Sequence, residues 1–141
     1  MIHNANGEVL LIERADRPGF WQSVTGSLDL PDEPTREAAI REVFEETGIN
    51  VTALPSDALQ DMQHAIDYEI YPDWRYRYAP GVTHNREHWF TLAVPANTPV
   101  HLAPREHTAF EWLPYADAAK RCFSESNSEA ILRLQAINVA K

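Results

Sequence analysis

The sequence predicts an α/β fold, specifically an α/β/α sandwich around a mixed β-sheet, and two observations carry that prediction. Five short segments of strand character, residues 9–13, 21–25, 62–71, 87–94 and 110–113, recur along the chain. Helical patterns interrupt them at 34–47, 115–122 and 127–138. Strands alternating with a few helices bury both faces of a sheet under helical layers. At 141 residues the chain can bury a core without disulfide or metal staples. No linker or repeat divides it, so residues 1–141 are expected to form one domain.

The first element is a hairpin. Asn4-Ala5-Asn6-Gly7 is a turn signal, and Val-Leu-Leu-Ile-Glu after it is a good strand. Only Met1 to His3 precede the turn, so the first strand is expected to be cut short and a longer chain to exist upstream of Met1. Residues 34–47 read as a helix of about four turns. Pro34 sits in the first turn, where its missing N–H costs nothing, and Gly48 follows as a stop. At about 100° per residue, Ala39, Ile40, Val43 and Phe44 share one arc, expected to pack, while Glu42, Glu45 and Glu46 share another. The last helix has apolar Ile131, Leu134 and, a little further on, Ile137.

The acidic arc opposes helix stability. Glu42 and Glu46 are like charges four apart, which costs a few tenths of a kcal/mol. Glu45 and Glu46 also crowd the negative end of the helix dipole, and Arg41 offsets only part of this. A divalent cation would remove the conflict, because Mg²⁺ prefers hard oxygen ligands from carboxylates and phosphates. The alternative is a solvated acidic face.

Composition excludes several classes. The single Cys122 rules out an internal disulfide framework, and no apolar run has membrane-spanning length or the look of a signal peptide. A cytoplasmic protein with no membrane role and no obligate protein partner is expected. The net charge of −9 argues against binding a polynucleotide through a basic surface. A small anionic substrate remains compatible, because bound cations invert the electrostatics of an acidic site.

The run Glu33, seven residues, then Arg41-Glu42-Val43-Phe44-Glu45-Glu46-Thr47-Gly48-Ile49 resembles the signature box of the Nudix hydrolase family without a gap. One departure is visible: six residues, where the family has five, separate Gly26 from Glu33. The extra residue is expected to bulge the loop and leave the carboxylates in place, since loop length is tolerated better than helix register. Three further segments are similar to the branch of the family that hydrolyses dihydroneopterin triphosphate in folate synthesis and also accepts dATP. They are Phe20 to Ser27, Arg75-Tyr76-Arg77-Tyr78-Ala79-Pro80-Gly81-Val82-Thr83, and Ser124-Glu125-Ser126-Asn127.

That resemblance implies a Nudix sandwich with Glu42, Glu46 and Glu106 as ligands of Mg²⁺, for which Mn²⁺ substitutes. It implies substrate contacts at Arg14, Thr25, Tyr68, Glu69, Ile70, Tyr71 and Ser124. Arg14 suits phosphate because a guanidinium fork matches phosphate oxygens. Trp21, Tyr68 and Tyr71 are the rings available to stack a pterin or purine. Trp21 is expected in the core, and Tyr68 and Tyr71 in a strand with one face open to a ligand. The histidines lack metal-type spacing and are expected to be surface or packing residues. The implied reaction is water attack on a triphosphate, releasing a monophosphate and pyrophosphate. Glu45 is the candidate for general base or for orienting the water, with Arg41 and Glu33 positioning the carboxylates. Two alternatives stay open: a general nucleoside triphosphate pyrophosphatase, and a silent nucleotide-sensing module.

Overall fold

The computed structural model describes residues 1–24, 34–69, 81 and 84–140. Its order is β1 (Ile2–Asn4), β2 (Glu8–Arg14), β3 (Trp21–Gln22), α1 (Thr35–Thr47), a 3₁₀ turn (Val51–Ala53), β4 (Leu59–Glu69), β5 (His84–Val94), β6 (His107–Pro114), α2 (Tyr115–Arg121) and α3 (Glu125–Ala140).

Strand β2 organises the sheet. Its start pairs antiparallel with β1 through His3 and Val9, its end with β3 through Ile12–Gln22 and Glu13–Trp21, and its whole length with β6. The short β1 also runs parallel to β5, and β5 pairs antiparallel with β4, so the sheet is mixed. The residues of β2 show why helices cover both faces. Val9, Leu10, Leu11 and Ile12 are all fully buried, and alternation along a strand sends neighbours to opposite sides. Leu10 and Ile12 join Val43 of α1, Ile49, Val51 and Leu92 on one side. Val9 and Leu11 join Ala118 of α2 and Ala130, Ile131 and Leu134 of α3 on the other. The expected α/β/α layering is present.

Several elements differ in extent from the expectation. Strand β6 runs from His107 to Pro114 because it pairs with β2 along its full length, a long-range partner that local pattern does not reveal. Strand β3 ends at Gln22, since Ser23 bonds to a helix instead of a strand. The backbone N–H and Oγ of Ser23 both donate to Asn127 Oδ1, at 3.0 and 2.6 Å, and both residues are buried. Phe123 N–H donates to the Trp21 carbonyl at 3.0 Å. The start of α3 is thereby fastened to the chain just before residue 25. Asn127→Ala would strand two buried donors, which costs about 1 to 3 kcal/mol per group. We expect a denaturant midpoint lowered accordingly with an unchanged m-value; an unchanged midpoint would contradict this role.

Helix α1 corrects one expectation. Phe44, placed by periodicity in the packed arc, is 58% exposed, and the buried positions are Ala38, Val43, Glu46 and Thr47. The buried arc runs from Ala38 through Glu46 and Val43 to Thr47; Phe44, about 100° from Val43 on the side away from Glu46, falls outside it. Gly48 ends the helix with φ of 74°, its N–H donating to the Phe44 carbonyl at 2.9 Å. A Cβ there would also lie 3.1 Å from that of His101, so the left-handed turn and the close approach both select glycine. Thr47 finishes the corner: its Oγ1 donates to the Val43 carbonyl at 2.6 Å and its carbonyl accepts from His101 N–H at 2.8 Å.

Candidate active site

The centre of the site is Glu46, carried into the interior by the last turn of α1. It is 6% exposed, and its Oε2 has no hydrogen-bond partner among the described residues. Burial pushes its carboxyl pKa up to about 9, and the charges of Glu42, Glu106 and Glu45 push the same way against a smaller opposing effect of Arg14. The acidic arc is therefore not simply a solvated face.

Glu106 and His107 approach from the other end of the chain. A turn presents them: the N–H groups of Glu106 and His107 both donate to the Ala103 carbonyl, at 3.0 and 2.9 Å, and the Glu106 carbonyl accepts from Ala15 N–H at 2.9 Å. The β2–β6 register shifts between Glu13 and Arg14, so Arg14 pairs with His107 while Glu13 pairs with Ala109. Such a bulge re-aims the side chains beside it. Ligand atoms of Glu46, Glu106 and His107 lie within 4.8 Å of one another. His107 is 4% exposed. Burial, then the Arg14 guanidinium, lowers its pKa to about 4, with Asp16 acting in the opposite direction, so the ring is neutral at pH 7.

The other expected residues are distributed around this centre. Glu42 lies outside the 4.8 Å group; its Oε1 accepts from Arg41 Nη1 at 2.8 Å, and the same nitrogen reaches Glu45 Oε2 at 3.2 Å. Glu45 is half exposed. Arg14 is mostly buried and braced by Asp16, to which Nε and Nη2 each donate at 2.8 Å, and its guanidinium stands 6.0 Å from the centre of the Phe20 ring. Ser124 immediately precedes α3, its carbonyl accepting from Ser128 N–H at 3.1 Å. Tyr68 and Glu69 close β4, in register with Asn85 and His84. Trp21 packs against the core cluster beneath α2 and α3, with the Arg121 guanidinium 5.1 Å over its ring. Glu33, Thr25, Ile70, Tyr71 and the widened loop after Gly26 lie outside the described residues, as does most of the segment from Arg75 to Thr83.

This donor set fits a divalent cation. A buried carboxylate oxygen lacking a partner, with three like charges acting on it, is costly to ionise, and a cation beside it removes both the burial penalty and the repulsion. The NUDIX domain model matches residues 1–134. The chain belongs to the Nudix family. It is 46% identical over 123 residues to the dihydroneopterin triphosphate diphosphatase of Escherichia coli K12, covering 87% of this chain and 79% of that protein. Against the Haemophilus influenzae protein of the same name it is 42% identical, with coverages of 87% and 75%. The solved E. coli dihydroneopterin triphosphate pyrophosphohydrolase superposes with a TM-score of 0.85 at 43% identity, over 94% of this chain and 88% of that one.

As a Nudix hydrolase the protein is a pyrophosphohydrolase of small nucleotide-like substrates and needs a divalent metal. Among the described residues no helix is long and apolar enough to cross a membrane. The structure also brings His107, a residue not singled out in the sequence, beside Glu46 and Glu106. His107 reads there as a surface or packing residue, because its neighbours in the site are Glu46, distant in the chain, and Glu106, immediately adjacent. Its only sequence signal is that adjacency to a nominated ligand.

Proposed function

We propose that this single Nudix domain hydrolyses dihydroneopterin triphosphate to dihydroneopterin monophosphate and pyrophosphate, a cytoplasmic step of folate synthesis, with dATP as a side substrate. The observation that carries the reading is the joining of Glu46 in the Nudix register with Glu106, in a chain 46% identical to a diphosphatase of that name. Mg²⁺, or Mn²⁺ in its place, is held by Glu46 and Glu106 with Glu42. When bound, it neutralises the charge that builds on the leaving pyrophosphate and acidifies water.

The chain's own groups do the rest. Glu45 is half exposed and tethered to Arg41 at 3.2 Å, so its carboxylate takes the proton of the attacking water from a fixed position. Arg41, which also holds Glu42, and Glu33 set the orientation of the carboxylates. Arg14, its fork fixed by Asp16, directs positive charge at the phosphate oxygens. Thr25, Ser124 and residues 68–71 are the further substrate contacts.

A product assay in ¹⁸O-water tests the reading. With dihydroneopterin triphosphate and Mg²⁺ we expect pyrophosphate and the monophosphate, one of them labelled, and a kcat/KM above that for dATP. Equal or better use of dATP and other nucleoside triphosphates would make this a general pyrophosphatase. Failure to release pyrophosphate from any triphosphate would make it a silent module.

A further inference from the structure

His107 is buried at 4% exposure, yet neither Nδ1 nor Nε2 has a hydrogen-bond partner among the described residues. Leaving a buried polar atom unsatisfied costs about 1 to 3 kcal/mol, so an imidazole with both nitrogens in that state calls for a partner that the described residues do not provide. A packing role alone would be served by an apolar side chain without that cost. The ring is also not placed at random: the shared turn to Ala103 and the bulge opposite Arg14 bring one ring nitrogen within 4.8 Å of carboxylate oxygens of Glu46 and Glu106. Bonds of about 2.1 Å to one cation would leave donors roughly 4.2 Å apart or less, a contraction that side-chain rotation supplies.

We infer that His107 supplies a nitrogen ligand to the divalent cation held by Glu46 and Glu106, making the donor set mixed oxygen and nitrogen. The inference rests on the reading of those two glutamates as ligands. Its chemical consequence is selectivity: imidazole suits first-row transition ions, while an all-oxygen set suits Mg²⁺. The site should favour Mn²⁺ over Mg²⁺ more than three carboxylates would.

The test is pulsed EPR of chelator-stripped protein carrying one equivalent of Mn²⁺. We expect nitrogen hyperfine modulation from a directly bound imidazole, altered when the protein is labelled with ¹⁵N-histidine and absent in His107→Gln. In that variant Mn²⁺ affinity should fall by roughly tenfold or more, and Mg²⁺ affinity by less. Bound Mn²⁺ that is lost in Glu46→Gln but shows no nitrogen modulation in the wild type overturns ligation by His107 and leaves the carboxylate reading standing. Mn²⁺ binding that is indifferent to Glu46→Gln and Glu106→Gln overturns both. The wild-type spectrum decides the matter even where a variant folds poorly.

Discussion

Glu46→Gln is expected to lower kcat by about three orders of magnitude at saturating Mg²⁺ while making the metal-free protein more stable. The first effect follows from the proposed role of Glu46 as a metal ligand: an amide keeps the shape but loses the charge that would hold the cation. Several kcal/mol of charge stabilisation in the transition state corresponds to roughly three decades in rate. The second effect comes from its burial. Without metal, folding forces the Glu46 carboxyl from its ordinary range up to about 9, which at pH 7 costs up to about 3 kcal/mol relative to a neutral group. A neutral isostere removes that cost, so the variant's unfolding midpoint in EDTA should rise. Turnover and chelated stability are measured on the same preparation. Unchanged turnover would refute the metal assignment, and a lowered midpoint in EDTA would refute the account of the buried charge.

The same residue links pH to metal. In the chelated protein the folded state binds more protons than the unfolded state between the ordinary pKa of 4.5 and about 9. The stability contribution of Glu46 therefore falls as pH rises through that window. His107 acts on the acid side: its folded pKa of about 4 lies below the ordinary 6.5, so its contribution is lost as pH drops between those values. Together they give the chelated protein a stability maximum in mildly acidic solution. Mg²⁺ must displace the Glu46 proton, so its apparent affinity should rise by up to about tenfold per pH unit below pH 9. The thermal shift on adding Mg²⁺ should accordingly be larger at pH 8 than at pH 6. Calorimetry in buffers of different ionisation enthalpy should show close to one proton released at pH 7. A binding enthalpy independent of buffer would exclude a protonated Glu46 in the free site.

Much of the fold was legible because it is written locally. The run Val9 to Ile12 is apolar at four consecutive positions, and the structure buries all four between two helical layers. Gly48 closes α1 as its backbone preference requires, while Pro34 stands as the N-cap, one residue before the first helical turn in which the sequence places it. The misjudged features depend on partners distant in the chain. Phe44 lies on an arc that periodicity marks as apolar, but the arc that packs was turned toward Glu46 by what stands opposite it. The extension of β6 came from pairing with β2, and the short β3 from the bond between Ser23 and Asn127.

By itself, the sequence determined the layered α/β class, the register that puts Glu42, Glu45 and Glu46 on one helical arc, and the family to which that register belongs. Those are properties of spacing, and a helix repeats its spacing wherever it packs. Only the tertiary structure decided which carboxylate is buried and that His107 joins Glu46 and Glu106. Burial and electrostatic field depend on everything within a few ångströms of a side chain. For Glu46 those neighbours include Glu106 and His107 at the start of β6, which no pattern within α1 encodes.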